Sequence, residues 1–175
     1  MQLETSLSTV VLRSWAHGDE EQLVAQANDR AVWRNLLAGF PSPYTAEDAA
    51  FWISHASAAA PSLHLCIQVD GSVAGGIGVI VGTGTEEKTG QFGYWLGRDY
   101  WGRGVATAAA TAMLQHAEAQ LRIVRLQAPV FEWNPRSMRI LEKIGFVRES
   151  IQRKSVFKDG ELIDSVMYVR IAGDA

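Results

Sequence analysis

Two glycines, Gly102 and Gly104, stand directly before a segment in which small and apolar residues recur at helical spacing from Val105 onward. Because glycine has no Cβ, it lets the backbone approach a ligand closely and lets successive N–H groups point outward. The first turn of a helix adds four unpaired N–H groups and a partial positive charge of roughly half an electron. The spacing therefore indicates either a phosphate-binding turn or a turn that only joins a strand to a helix.

Two other phosphate-binding loops do not fit these residues. A P-loop requires a lysine after its second glycine, whereas Val105, Ala106 and Thr107 follow Gly104. The dinucleotide-binding fingerprint would place its third glycine at Thr107, and no carboxylate follows where that fold binds a ribose. Both loops are therefore excluded.

The segment Trp101-Gly102-Arg103-Gly104-Val105-Ala106 resembles the acetyl-CoA pyrophosphate loop of the GNAT superfamily of N-acetyltransferases. The usual loop begins with Gln or Arg, and Trp101 stands there instead, which resembles the RimJ/RimL branch, the ribosomal-protein-alanine N-acetyltransferase-like proteins. A second block resembles the same branch: Asn134-Pro135-Arg136-Ser137, followed by Leu141-Glu142-Lys143-Ile144-Gly145-Phe146. With the amino-terminal letters VWRNL and FPSPYT, the resemblance covers about residues 8 to 171.

The resemblance implies an α/β (α+β) GNAT fold in a single N-acetyltransferase domain over residues 1–175. Such a fold has a mixed, mostly antiparallel sheet of about seven strands with a splayed parallel pair, flanked by about four helices. The pantetheine arm of acetyl-CoA, the cosubstrate, is expected between the splayed strands, with Pro129 near the point where they part, because proline cannot donate to a strand ladder. The residues that the resemblance assigns to acetyl-CoA binding are Trp95, Leu96, Trp101, Gly102, Arg103, Gly104, Val105, Ala106, Thr107, Asn134 and Arg139.

The resemblance also implies that an amine attacks the thioester directly, without a covalent enzyme intermediate. Ser137 matches the serine of the second block and is implied to hydrogen-bond or protonate the coenzyme sulfur, with a role in the helix cap as the alternative. A backbone N–H from a bulged strand around Tyr94 is the expected oxyanion donor. Glu132 is the carboxylate nearest in sequence to the site and is a candidate base, with a solvated loop glutamate as the alternative. Gln91 stands where many relatives carry a glutamate, so the base stays open.

On the acceptor side, the resemblance points to the amino-terminal helical region, with Arg34, Asn35, Phe40 and Tyr44 as candidate contacts and loop packing as the alternative for each. The preferred acceptor is a protein N-terminal amine. An α-amine with a pKa near 7.8 is roughly a tenth neutral at pH 7, whereas a lysine side chain is under about a thousandth neutral. A small amine such as an aminoglycoside, a polyamine or an amino-acid analogue is an alternative acceptor. A CoA-binding module without turnover is an alternative function.

The strands that must position these residues follow from apolar runs and turn signals. The predicted strands cover residues 9–13, 63–69, 73–81, 92–96, 123–130, 146–157 and 161–171. The residues Asp70-Gly71 and Lys158-Asp159-Gly160 indicate hairpin turns. Glycines in the strand 73–81 indicate a bulge or a close neighbour.

The helices are predicted from caps and periodicity. Asp19 is expected to cap a first helix, and residues 33–37 are expected to continue an apolar helical face. Thr45 opens a longer helix with Phe51 on its inner side. Asn134 is predicted as the N-cap of the last helix.

Composition sets the outer limits. A chain of 175 residues with 47% hydrophobic and 20% charged residues is typical of one globular domain. The net charge of −3 argues against a nucleic-acid surface, so a polyanionic ligand must be bound locally by backbone dipoles and a few arginines. The lone Cys66 is expected in the core, and no signal peptide or long apolar run is present, so a soluble cytoplasmic protein is expected. The histidines lack metal-ligand spacing, so no metal is expected; no membrane partner is expected either, and a homodimer stays open.

Overall fold

The computed structural model describes residues 1–58 and 60–173, which form eight strands and five helices. The strands are β1 (Gln2–Glu4), β2 (Val10–Ser14), β3 (Leu63–Val69), β4 (Ser72–Val81), β5 (Thr89–Leu96), β6 (Arg125–Phe131), β7 (Val147–Lys158) and β8 (Glu161–Ile171). The helices are α1 (Glu20–Ala27), α2 (Arg30–Trp33), α3 (Ala46–Ala58), α4 (Val105–Gln120) and α5 (Pro135–Lys143). Among the described residues, no helix is long and apolar enough to cross a membrane.

All eight strands belong to one sheet in the order β1-β2-β3-β4-β5-β6-β8-β7. Every neighbouring pair is antiparallel except β5 and β6, which are parallel and are connected through α4. The predicted mixed sheet with one parallel pair is therefore confirmed. The sheet has one strand more than expected, because β1 has only three residues and is too short to give a sequence signal.

Both predicted hairpin turns are confirmed. Asp70 and Gly71 have φ values of 48° and 81°, and Asp159 and Gly160 have values of 56° and 83°. Positive φ at both central residues is the requirement of the type I′ turn, whose twist matches that of the flanking strands. The second turn forms the tip of the β7–β8 hairpin.

A bulge was predicted in the strand around Tyr94, which is β5, but the structure has a bulge in the pairing of β3 with β4 instead. The register of β3 and β4 shifts between Ile67 and Gln68. The pairing of β4 with β5 runs without interruption from Val81–Gly90 to Gly75–Leu96, so the prediction of a bulge in β5 is wrong. The glycines of β4 mark both a bulge and a close neighbour, since a Cβ on Gly75 would overlap the carbonyl oxygen of Trp95.

Asp19 occupies the N-cap position of α1 but does not cap the helix through its side chain. Its carboxylate accepts hydrogen bonds of 2.7 and 2.8 Å from Arg13 and one of 3.0 Å from the Ala16 N–H. These bonds lower the pKa of Asp19 even though burial acts in the opposite direction. The carboxylate thus joins β2 to the loop before α1.

The predicted helical face over residues 33–37 is wrong beyond Trp33, where α2 ends. The N–H groups of Asn35 and Leu36 donate to carbonyls three residues earlier, so the chain tightens into turns. Leu37 is 50% exposed. The prolines that follow in the segment 41–43 cannot supply the donors that a continued helix needs.

The longer helix α3 is confirmed, but Phe51 lies on its outer side. Ala49 and Ile53, four residues apart, are buried, whereas Phe51 is 72% exposed. Residues four apart share a helix face and residues two apart do not, so burying Ala49 and Ile53 turns Phe51 outward. Thr45 and Asp48 exchange hydrogen bonds at the start of α3, as a capping pair does.

The sheet is buried on both faces at its centre. In β3, Leu65 and Ile67 belong to the core beneath α4, while Cys66 between them faces the core beneath α1 and α3. Burial raises the pKa of the Cys66 thiol to about 12, which is the behaviour of a core residue. The alanines of α4 let that helix pack closely on β5, so the start of α4 is held firmly at the end of the strand.

A Gly75→Ala substitution tests how closely β4 and β5 pack. We expect the free energy of unfolding in urea to fall by about 2 kcal/mol or more, because the new Cβ would overlap the backbone of Trp95. Gly93→Ala is the matched control, since Gly93 is also a strand glycine and a Cβ there would meet nothing within 4 Å. Equal stability of the two variants would contradict the close approach.

Candidate functional site

The two strands at the centre of the sheet pair in parallel over a short stretch and then separate. The paired residues are Thr89 with Arg125, Gly90 with Leu126, and Gln91 with Gln127. Beyond them β5 continues against β4 to Leu96, and β6 continues against β8 to Phe131. Pro129 lies two positions past the last parallel pair, as predicted. Because a strand edge carries alternating N–H and C=O groups, the gap is bordered by backbone groups that a ligand can bind.

A glycine turn lies between the end of β5 and the start of α4. Gly102 and Gly104 have φ values of 74° and 78°, a left-handed conformation that side-chain-bearing residues rarely adopt. A Cβ on Gly102 would meet nothing within 4 Å, so glycine is needed there for backbone conformation and not for space. The first turn of α4 has neither an acidic residue nor a side-chain cap. Its N–H groups are therefore available to an anion.

Trp101 explains how the turn is held without the usual Gln or Arg. Its indole N–H donates a 2.9 Å hydrogen bond to the carbonyl of Leu96, the last residue of β5. The guanidinium of Arg136 lies 5.7 Å from the Trp101 ring centroid, on the opposite side of the gap. Trp101, which stands in place of the usual Gln or Arg, thus anchors the turn to β5. The guanidinium of Arg136 lies beside the Trp101 ring.

The start of α5 faces the separated part of β5. Asn134 caps α5 by accepting a 3.2 Å hydrogen bond from the N–H of Ser137, as predicted, and Pro135 takes the first helical position. The hydroxyl of Ser137 lies 3.0 Å from the hydroxyl of Tyr94 on β5. This hydrogen bond crosses the gap and joins its two sides.

The Tyr94 hydroxyl keeps its proton. Burial raises its pKa to about 12, although the hydrogen bond with Ser137 acts in the opposite direction. Tyr94 can therefore donate to Ser137 at any pH near neutrality. The pair amounts to a relay of two hydroxyls, in which Ser137 can give a proton and receive one from Tyr94.

A cleft of about 1060 Å³ connects these features. Four of its lining side chains are cations: Arg34, Arg136, Arg139 and Lys143. No aspartate or glutamate is among the described residues that line it. In a chain with a net charge of −3, this is a local concentration of positive charge.

The structure brings most of the predicted site residues to this cleft. Those that line it are Tyr94, Ser137, Trp95, Leu96, Trp101, Gly102, Gly104, Val105, Ala106, Thr107, Asn134, Arg139, Arg34 and Asn35. Their convergence follows from the separated strands and from the two helices that begin at the gap. Four predicted residues do not line the cleft: Arg103, Phe40, Tyr44 and Glu132.

Each of these four has another contact. Glu132, the candidate base, accepts a 2.9 Å hydrogen bond from the N–H of Asp164 and so connects β6 to β8. Phe40 packs against Tyr44 and Trp95 with ring centroids 4.9 and 5.4 Å apart, and Tyr44 is 5% exposed. Both therefore take the loop-packing alternative. Arg103 lies beside the Tyr100 ring, 5.7 Å from its centroid.

Among the lining residues that were not predicted, four have side chains with polar or charged groups: Tyr100, Trp133, Arg136 and Lys143. The two cations could have been found, since Arg136, Arg139 and Lys143 are spaced three and four apart and so share one face of α5. The sequence around Trp133 contains no pattern that indicates a residue of the cleft. It lines the cleft because β6 ends two residues earlier and the chain turns there into α5.

Among the described residues, no group of three or more His, Cys, Asp and Glu side chains could hold a metal ion. The groups that line the cleft include hydroxyls, cations and backbone groups. A sheet that divides at one parallel pair, with a glycine turn and an uncapped helix at the division, defines the GNAT class of fold.

Comparison with known proteins agrees. The family described as the acetyltransferase (GNAT) domain matches residues 9–147, and the chain belongs to this family. The resemblance drawn from the motifs is thus confirmed at the level of the family. The probable N-acetyltransferase YjcK of Bacillus subtilis is 38% identical over 73 residues, which cover 42% of this chain and 40% of YjcK.

Two solved structures share the fold. RimJ of Mycobacterium smegmatis, in complex with CoA-disulfide, gives a TM-score of 0.85 at 23% identity over 98% of this chain and 86% of RimJ. The Salmonella typhimurium acetyl transferase that modifies the N-terminal serine of ribosomal protein L7/L12 gives 0.81 at 18% identity over 98% of this chain and 99% of that one. At such identities the likeness shows the fold.

The buried Tyr94 hydroxyl predicts a pH-dependent contribution to stability. Its folded-state pKa of about 12 exceeds the unfolded value, so its contribution is complete below about pH 10 and falls as the pH rises toward 12. We expect wild type to lose about 1 kcal/mol relative to Tyr94→Phe between pH 9 and pH 11 in urea unfolding. Other buried tyrosines are common to both proteins and cancel in the difference. A difference that does not change with pH would show that Tyr94 ionises normally.

Proposed function

We propose that the protein is an acetyl-CoA-dependent N-acetyltransferase that acts on a primary amine, with a protein N-terminal amine as the favoured acceptor. The observation that carries the proposal is the uncapped start of α4, preceded by two left-handed glycines, at the mouth of the separated strands. Membership of the GNAT acetyltransferase family supports it. The similarity to RimJ, solved with CoA-disulfide, and to an enzyme that modifies an N-terminal serine supports the cosubstrate and the kind of acceptor.

The residues that would hold acetyl-CoA divide into backbone and side-chain groups. The N–H groups around Gly104 and in the first turn of α4 would bind the diphosphate. The three cations of α5, Arg136, Arg139 and Lys143, line the same cleft and would neutralise the remaining phosphate charge. The unpaired edge of β5 beyond Gln91 would bind the amide groups of the pantetheine arm.

Acetyl-CoA supplies an activated acetyl group, and the reaction needs a proton donor for the departing thiolate. Ser137 is the proposed donor, and Tyr94 orients it and returns a proton to it through the 3.0 Å hydrogen bond between their hydroxyls. Water takes the proton that the amine loses and restores the proton of Tyr94, so the net transfer is from the amine to the departing thiolate. A backbone N–H on the free edge of β5 is the proposed donor to the developing oxyanion. Both roles lie at the point where β5 and α5 face each other.

The amine must lose a proton without help from a carboxylate in the cleft, since the described lining residues include none. An α-amine is roughly a tenth neutral at pH 7, so positioning can supply most of its rate. A lysine side chain would need a strong base. This favours a terminal α-amine over a side-chain amine.

Other functions have weaker support. A polyamine or an aminoglycoside would have to enter a cleft lined by four cations. An amino-acid analogue avoids that repulsion and stays the second candidate. The support for a CoA-binding module without turnover is Gln91, which stands where many relatives carry a glutamate. Gln91 pairs with Gln127 in the last parallel pair of β5 and β6. A homodimer and a cytoplasmic location stay predictions from the sequence.

Calorimetry with acetyl-CoA, followed by a thiol-release assay on peptides and small amines, tests the proposal. We expect Ser137→Ala to lower kcat roughly a hundredfold while the KM for acetyl-CoA changes about threefold or less, since only the proton transfer is removed. Ser57→Ala on α3, outside the cleft, is the control. Absence of acetyl-CoA binding would remove the proposal, and an unchanged kcat in Ser137→Ala would remove the role of Ser137.

The phosphate site can be tested with a pair of variants that have the same size. Asp and Asn both tolerate the left-handed conformation of Gly104 better than most residues, and there is room for a Cβ. We expect Gly104→Asp to weaken acetyl-CoA binding at least about tenfold more than Gly104→Asn, because only the carboxylate repels the diphosphate. Calorimetry measures both. Equal losses of affinity would place the diphosphate elsewhere.

A further inference from the structure

The cations of the cleft form two separate groups. Arg136, Arg139 and Lys143 lie on one helix, α5, and Arg136 is beside Trp101 in the glycine turn. Arg34 comes from the segment after α2. Its guanidinium carbon lies 4.1 Å from the ring centroid of Trp133, which directly precedes the cap of α5. Arg34 is therefore a cation of the cleft that does not belong to α5 and lies against Trp133.

Two donors at this position lack a hydrogen-bond partner. Among the described residues, the Nε of Arg34 and the indole N–H of Trp133 are buried and make no hydrogen bond. The carboxylate near Arg34 is that of Asp159, 3.9 Å from its Nε, which is too long for a hydrogen bond. The other oxygen of Asp159 accepts a 2.7 Å hydrogen bond from Arg30. These two atoms are not exposed to the cleft, so a ligand would meet the terminal nitrogens of the Arg34 guanidinium instead.

The Arg34 side chain nevertheless remains open to the cleft. It retains 38% of its exposure and is among the lining residues, as is Trp133. Stacking on the indole holds the guanidinium plane in one orientation, which favours binding to a planar anion. A carboxylate provides two oxygens and a charge that match the exposed end of the guanidinium.

We propose that the acceptor carries a carboxylate close to its amine, and that the Arg34 guanidinium, held against the ring of Trp133, binds this carboxylate. The proposal rests on the proposed acetyl transfer and names its substrate class. Pairing the carboxylate with Arg34 also removes its stabilising effect on the nearby ammonium, so a larger fraction of the amine is neutral and able to react. The described lining residues include no carboxylate, so the acceptor itself would supply the carboxylate beside the amine.

Two kinds of acceptor have this chemistry. One is a protein N-terminus with an acidic residue at its first or second position, and the other is a free amino acid. The peptide amides Ser-Asp-Gly-Ala and Ser-Asn-Gly-Ala test the first, and L-serine with L-serinamide tests the second. Spermidine serves as the cationic acceptor. We expect wild type to prefer the acidic member of one pair by roughly tenfold or more in kcat/KM, and that pair identifies the source.

Three variants assign the preference to residues. Arg34→Gln is expected to abolish it, Arg34→Lys to retain part of it, and Trp133→Phe to reduce it while the aromatic ring stays in place. Arg30→Gln is the matched control, because Arg30 pairs with the same Asp159 but does not line the cleft. The control is expected to keep the full preference. The KM for acetyl-CoA is expected to stay within about twofold in every variant, since none of these residues is in the proposed phosphate site.

Calorimetry with the enzyme saturated with CoA measures the affinity for each acidic and neutral probe in wild type and variants. This measurement does not require turnover. Equal use of acidic and neutral acceptors, fastest use of spermidine, or an unchanged preference in Arg34→Gln would overturn the carboxylate site while leaving acetyl transfer intact. If no acceptor supports thiol release, acetyl transfer fails. The carboxylate site then stands only if acidic probes bind at least about tenfold more tightly than neutral ones and Arg34→Gln removes the difference.

Discussion

The separation of β5 from β6 is the constraint on which the rest of the structure depends. The two strands share three rungs and then follow different partners, β4 on one side and β8 on the other. Backbone groups at the edges of the gap would be left without partners in a dry core. Two helices, α4 and α5, begin at the gap. Unpaired N–H groups, hydroxyls and cations therefore border the gap in addition to apolar side chains.

Hydrogen bonds across the gap then set its shape. Trp101 holds the glycine turn to the end of β5, and the hydroxyls of Tyr94 and Ser137 join β5 to α5. The short helix α2 adds a connection on the surface: Arg98 after β5 donates to Asp29, and Arg30 donates to Asp159 at the tip of the β7–β8 hairpin. Exposed ion pairs contribute only about 0–1 kcal/mol each. The buried hydroxyl pair and the packing of α4 therefore carry the geometry, while α2 completes the wall that includes Arg34.

The charge of the cleft is a second organising feature. The chain has a net charge of −3, yet the described lining residues include four cations and no carboxylate. Positive charge beside a reacting amine disfavours its ammonium form, and positive charge beside phosphates favours their binding. The same field can thus serve both partners of the proposed reaction. Glu132, the nearest carboxylate in sequence, is not among the lining residues and accepts a hydrogen bond from the N–H of Asp164.

The sequence by itself determined several features that are encoded locally. The left-handed glycines before α4, the Asn134 cap, both I′ turns and the position of Pro129 near the separation follow from preferences that act over a few residues. Only the tertiary structure decided what meets across the gap, because those contacts join residues distant in the chain. The Tyr94–Ser137 pair spans 43 positions, and the Arg34–Trp133 stack joins the amino-terminal helical region to the end of β6. It also decided that Phe40 and Tyr44 pack in the core and that Phe51 faces outward, since burial depends on which helix face the sheet covers and not on the hydrophobicity of one residue.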